Sequence, residues 1–326
     1  PLSLRARAAE CEFSMRLLVV GAGSTGGYIG ARLSQAGRDV TFLVRPARAA
    51  QLRARGLEIV SPHGALTLAP RLLTAAQLTQ PFDAILLAVK SFQLEATLDD
   101  MAPAVGPDTM ILPVLNGMRH MEVLAQRFGP HHLLGATLKV STMLDDTGRI
   151  VHLSGVQDLS YGELDGSMTP RIRALDEFLR GAGFDARLSP VIRREMWEKW
   201  VLLAALGGIT CLMRGPIGAV EAAPGGAEFA LRFLDEVVAV VNAVGERPAQ
   251  EFLLTVRQVL TTKQSPLTSS MYRDLQGGRP VEADQIIGDL QRRARRAQIA
   301  TPLIDAARAH LGVYEGALAR GAPPAH

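Results

Sequence analysis

Between Arg16 and about Leu115, the short apolar runs RLLVV, DVTFLV and FDAILLAV alternate with segments such as GYIGARLSQAG and SFQLEATLDDMAPAV, whose apolar positions recur at helical spacing. This alternation predicts βαβ units around a parallel sheet. TMILPVLNG reads as one more buried strand, ending in Asn-Gly. From about Leu133 to Tyr161 the texture changes to GATLKVSTML, GRIVHLSG and DLSYGEL, whose β-branched residues and Gly/Asp turns predict strands near a sheet edge. A helix, TPRIRALDEFLRGAG, and a last strand, FDARL, close this half, and Ser189-Pro190 marks a boundary. Beyond it strand signals vanish and long 3.6-period segments take over, among them IRREMWEKWVLLAAL and GGAEFALRFLDEVVAVVNAVG.

At 326 residues and 48% hydrophobic, the chain is long enough for two domains with sizeable cores. Its net charge of +3 is diffuse. No basic patch interleaves with aromatics, so nucleic acid is not an expected partner. The basic run QRRARRAQ, with Arg292, Arg293, Arg295 and Arg296, reads as a solvated helix face. Cys11 and Cys211 are far apart and form no CxxC, and the seven histidines show no paired ligand spacing. A reduced, cytoplasmic, metal-free protein is expected. The longest apolar stretch, Trp200 to Ile209, is half of the roughly 20 residues a membrane span needs, so it reads as a core helix. Residues 1–14 lack the apolar core of a signal peptide and read as a tail before Met15. Helices such as ALRFLDEVVAVVNAV offer a homodimer surface as readily as a core.

The chemistry begins at GAGSTGGYIG, which follows the strand RLLVV and opens a helix. In that context Gly21 permits a tight turn, Gly23 lets backbone approach a pyrophosphate, and Gly26 lets helix and strand pack closely. Backbone N–H groups around Ser24 and Thr25 at the helix N-terminus would meet the negative charge. The second strand ends at Arg45, where an acidic residue would accept from a ribose 2′-hydroxyl. A guanidinium suits a 2′-phosphate instead, so NADP is expected rather than NAD. The expected fold class is therefore an α/β Rossmann-type dinucleotide-binding domain, residues 15–189, followed by an all-α domain, residues 190–326.

A dinucleotide domain beside a helical one suggests hydride transfer in the cleft between them. Hydride addition to a ketone carbon leaves an alkoxide, which needs a proton donor. Lys199, at the mouth of the apolar run EMWEKWVLLAALGG, is a candidate acid, although a snorkelling lysine would produce the same pattern.

The chain resembles the ketopantoate reductase (2-dehydropantoate 2-reductase) family over nearly its whole length from Met15. The resemblance is carried, in order, by GAGSTGG, FLVR, LLAVKSFQ, LNGM, IRREMWEKW, SSM, VEADQIIG and RRARRAQIATP. It implies reduction of a small 2-oxo acid by NADPH, with Lys199 as the catalytic lysine and Glu282 as its acidic partner across the cleft. Ser270 matches a substrate-binding serine, and Lys90 and Asn116 match positions lining the cofactor and substrate side of the first domain. The residues alone also allow blander roles: Glu282 as a first-turn acid, Ser270 as a helix cap, Lys90 and Asn116 as loop residues at strand ends.

The resemblance breaks where the family usually carries asparagines one and two turns beyond the lysine. Here Leu203 and Gly207 stand on that face. Three functions follow as expectations: 2-dehydropantoate reduction to (R)-pantoate for pantothenate and coenzyme A synthesis, reduction of a more apolar 2-oxo acid or ketone, or NADP binding with little catalysis, as an NADP-responsive regulator or interaction partner.

Overall fold

The computed structural model describes residues 15–321; the expected tail and Cys11 lie outside them. The first half runs β1 (Arg16–Val20), α1 (Ser24–Gln35), β2 (Asp39–Leu43), α2 (Pro46–Arg55), β3 (Leu57–Val60), β4 (Leu66–Leu68), β5 (Arg71–Leu73), β6 (Phe82–Leu87), α3 (Leu94–Met101), β7 (Val105–Pro113), α4 (Arg119–Phe128), β8 (Leu134–Leu144), β9 (Ile150–Glu163), α5 (Pro170–Leu179) and β10 (Asp185–Leu188). The second half is helical: α6 (Ile192–Met213), α7 (Ile217–Ala222), α8 (Gly226–Val244), α9 (Gln250–Leu260), α10 (Ser270–Gln276), a π-helical turn (Asp284–Gly288), α11 (Asp289–Arg296) and α12 (Pro302–Ala319).

One sheet has the order β5-β2-β1-β6-β7 and is wholly parallel. Alternation along β1 explains why it reads as continuously apolar: Leu17 and Val19 join one buried cluster, Leu18 and Val20 the other. Strand order reverses beside β1, between β2 and β6, which places a crevice at the carboxyl ends of these strands.

The region expected at a sheet edge forms a second sheet instead. β9 is its centre, paired antiparallel with β8 and parallel with both β3 and β10, while β3 carries β4. The β-branched texture is visible in the sequence but the partners are not, because β3 and β4 are only four and three residues long and carry little periodicity. Tyr28 and Ile29 of α1 share a core with Leu159 and Tyr161 of β9, so α1 is packed between the two sheets.

Ser189, at the expected boundary, is anchored: its N–H donates to Tyr161 O at 2.8 Å and its Oγ to Glu195 Oε1 at 2.8 Å. From there α6 runs for 22 residues, longer than the apolar stretch alone suggested, and 67% of its most apolar window is buried inside the protein. A Cβ on Gly208 would meet the Phe233 ring at 2.1 Å, so α6 and α8 touch at a contact only glycine permits. The apolar face of α8, including Phe233, Val237 and Val241, is used in this core.

Candidate active site at the domain seam

β1 leads directly into the glycine turn, and the three glycines differ in what surrounds them. Gly21 has φ +99°, and a Cβ there would lie 2.9 Å from Ala88 O. A Cβ on Gly26 would lie 2.2 Å from Gly21 O, so turn and helix approach as closely as hydrogen allows. Gly23 has nothing within 4 Å of its Cβ position, and its backbone faces open space. It is the N-cap of α1 and has no side chain to cap with. The N–H groups of Ser24, Thr25 and Gly26 therefore remain available to an anion.

A cavity of about 430 Å³ opens here, lined among others by Gly21, Gly23, Arg45, Arg48, Thr74 and Gln93. Arg45 is exposed at the N-terminus of α2. Arg48, one turn later, was missed by the sequence reading although PARAAQLRAR places it on the same helix. Its Nε donates to Ala22 O at 3.1 Å and its Nη1 to Gly148 O at 3.2 Å, tying the glycine turn to the β8–β9 hairpin. Burial pulls its pKa below the usual guanidinium range. Open backbone, free N–H groups and a guanidinium on one cavity suit a dinucleotide.

The second cluster lies where the two halves meet. Glu282, just before the π-helical turn, has a carboxylate only 10% exposed. Its Oε1 accepts from the Ser91 N–H at 3.0 Å and its Oε2 from Asn116 Nδ2 at 3.4 Å. Lys90 Nζ is 3.9 Å from Oε2 and 3.4 Å from Asp274 Oδ2. Lys90, Asn116 and Glu282 are thus brought together.

Lys199 is half-buried on α6 and feels the charge of Glu282. Burial brings its pKa down to about 8, with Glu282 opposing the shift and Lys139 adding to it. Beside it, fully buried His120 is pulled down to about 3 by burial and by the charge of Lys199. An ammonium tuned toward neutral pH in a confined site has the character of a general acid.

Ser270 is not drawn into this cluster. It is exposed in the first turn of α10, and the capping role falls to Ser269, whose Oγ accepts from the Tyr272 N–H at 2.9 Å and meets Thr210 Oγ1 at 2.9 Å.

The model of the ketopantoate reductase PanE/ApbA domain matches residues 17–166, and that of the corresponding C-terminal domain matches residues 191–315. The chain belongs to the ketopantoate reductase family. It is similar to the uncharacterized oxidoreductase YkpB of Bacillus subtilis, 37% identical over 92% of this chain and 99% of that protein. A 2-dehydropantoate 2-reductase of Mesorhizobium japonicum is 28% identical over 90% of this chain and 95% of its own length. Among solved structures, 2-dehydropantoate 2-reductase from Geobacter metallireducens superposes with a TM-score of 0.82 at 28% identity, covering 92% of this chain and 99% of that one. The protein is accordingly an NADP-dependent oxidoreductase acting on CH–OH groups, and its cofactor is a nicotinamide dinucleotide.

In this reductase the helix face beyond Lys199 is apolar. Leu203 is half-buried, and a Cβ on Gly207 would stand 2.7 Å from Met271 Cε, so the thioether tip occupies the space a side chain at 207 would take. The basic run is also different from its expected solvated face. Arg292 binds Asp284 Oδ1 at 2.6 Å, while Arg293 lies over the Trp197 and Trp200 rings at 5.7 and 5.6 Å and bonds Asp289 and Glu122. Only Arg295 and Arg296 are exposed. Charge counting could not find this, because the acids and rings that hold Arg292 and Arg293 come largely from other elements.

Proposed function

We propose that this reductase uses NADPH to convert a 2-oxo acid to the 2-hydroxy acid, with 2-dehydropantoate to (R)-pantoate, in cytoplasmic pantothenate and coenzyme A synthesis, as its reaction. The observation that supports this most is Lys199: a half-buried ammonium, brought down to about 8 by burial against the opposing charge of Glu282. Bound NADPH supplies the hydride. Lys199 donates the proton to the carbonyl oxygen as it gains charge, and recovers it from solvent. Glu282 keeps the lysine protonated at working pH and, with Lys90 and Asn116, borders the substrate side. Ser270, exposed in the first turn of α10 and outside that cluster, is a further substrate contact on the strength of the family resemblance alone. Arg45 serves the 2′-phosphate. In this reading residues 15–189 bind the dinucleotide and residues 190–326 carry the acid.

The test follows NADPH absorbance with 2-dehydropantoate and a panel of small 2-oxo acids. Oxidation by the wild type and a loss of roughly 10²–10⁴-fold in Lys199→Ala are expected. Tight NADPH binding without oxidation of any acid would sink the proposal.

One observation favours a second reading of the substrate. With Leu203 and Met271 where polar side chains would grip a hydroxylated acid, the same chemistry suits a 2-oxo acid with an apolar tail. Faster turnover of such an acid than of 2-dehydropantoate would select it.

A further inference from the structure

The side chain of Gln285 is buried inside the π-helical turn, three residues after Glu282. Its Nε2 donates to Asn116 O at 2.9 Å and lies 3.4 Å from His120 Nδ1. A carbonyl oxygen only accepts, so the first bond fixes which way the amide points. The second N–H of the amide then faces the imidazole, and Nδ1 must accept it. The proton of a neutral His120 is consequently on Nε2, an atom that is buried without an acceptor among the described residues.

This arrangement bears on Asn116, which Gln285 holds by its backbone while Glu282 holds its side chain. The loop is pressed against the turn as well: Gly117 has φ +77°, and a Cβ there would lie 2.9 Å from Gln285 O. A single turn of the helical half thus sets the backbone and the amide of one loop of the dinucleotide half. π-Helical turns interrupt regular helices and are often found at functional sites. An apolar core would be cheaper here, since a buried polar pair costs stability unless every group is bonded.

We propose that Gln285 and His120 act as a pair of positioning residues that hold the Asn116 loop in register with Glu282 and Lys199 across the domain seam. The inference rests on the reductase reading. Neither residue needs to touch the substrate, and His120 works as a neutral acceptor.

The pair is tested with Gln285→Leu, which keeps the bulk and removes both N–H donors, and with His120→Leu against His120→Gln, where the amide oxygen restores an acceptor. In full-length enzyme, Gln285→Leu should lower kcat by about 10–100-fold, matching the loss of one or two buried hydrogen bonds. His120→Leu should lower it less, and His120→Gln should recover it. A purely structural role would lower Tm and leave kcat of the folded enzyme unchanged, which overturns the proposal. Nitrogen-15 NMR of the ligand-free protein supplies a readout that needs no substrate: His120 should be neutral and protonated on Nε2 at pH 7, and an Nδ1–H tautomer or an imidazolium overturns the pairing. Absence of turnover by the wild type on every 2-oxo acid strikes at the reductase reading itself, while the tautomer still decides whether the pairing exists.

Discussion

Glu282 of the helical half accepts a hydrogen bond from the backbone N–H of Ser91, at 3.0 Å, in the dinucleotide half. The acid whose charge Lys199 feels is therefore held by a group that no side-chain substitution can remove. Its charge raises the pKa of Lys199 against the lowering effect of burial. With Lys199 as the proposed proton donor, kcat/KM should fall as pH rises through about 8. In Glu282→Gln the Ser91 contact can persist through the amide oxygen, but the charge is gone. The alkaline fall should then begin at lower pH, measured as the pH profile of kcat/KM; an unmoved limb would separate Glu282 from Lys199.

Two glycines of the cradle should respond in opposite ways. Alanine at Gly26 puts a Cβ 2.2 Å from Gly21 O, against backbone that cannot move aside. Gly26→Ala is expected to cost roughly 2–4 kcal/mol of stability, read by denaturant unfolding. Gly23→Ala meets nothing within 4 Å in the protein itself. It should unfold like the wild type and yet bind NADPH at least about tenfold more weakly, or about 1.4 kcal/mol, because the methyl enters the space left for the ligand.

The cradle was legible in the sequence because its determinants are contiguous: strand, glycine turn and helix share one short segment, and Arg45 follows just after the next strand, at the start of α2. The helical half was legible from periodicity. The second sheet was not, since β9 finds β3 and β10 far along the chain and short strands carry no distinctive pattern. Lys199 needed the order of several motifs to be preferred over a snorkelling lysine. Gln285 and His120 had no local signal, and Arg48 had only its place on the helix after Arg45; each is bonded to a partner 26 to 169 residues away.

Arg45 stands exposed at the cavity rim, free of the backbone anchors that hold Arg48. An exposed guanidinium gains its value from what it meets, and a 2′-phosphate offers a bidentate, doubly charged partner. Arg45→Ala should weaken NADPH binding by about 10–100-fold and leave NADH affinity within about twofold, by fluorescence titration. Equal loss for both dinucleotides would refute the 2′-phosphate role.

Lys199 carries a stability cost that follows from the same shift. Its folded pKa is about 8, below the ordinary value of 10.5. Below pH 8 both folded and unfolded chains hold the proton, and the folded state bears the full penalty of a confined charge. As pH rises from 8 toward 10.5 the folded state releases its proton first, so stability rises. Lys199→Met should thus lower turnover by the same roughly 10²–10⁴-fold as Lys199→Ala and stabilise the protein by roughly 1–2 kcal/mol at pH 7. The gain in Tm should shrink above pH 10, where both side chains are neutral. A Tm lowered at both pH values would mean that the lysine is not confined in this way.

The tip of Met271 and the absent side chain of Gly207 make one wall, with Leu203 a turn nearer the lysine. Methionine is long and adaptable, so it can retreat when a side chain is introduced at 207. Gly207→Asn, alone and with Leu203→Asn, places amides on the face that points along the helix from Lys199. Each new hydrogen bond to a hydroxylated acid is worth about 1–3 kcal/mol when the alternative is an unpaired buried group. The ratio of kcat/KM for 2-dehydropantoate to that for a branched or aromatic 2-oxo acid should therefore rise by about 10–100-fold per substitution, with NADPH affinity unchanged. A ratio that stays put in variants that fold and bind NADPH would remove this face from the substrate site.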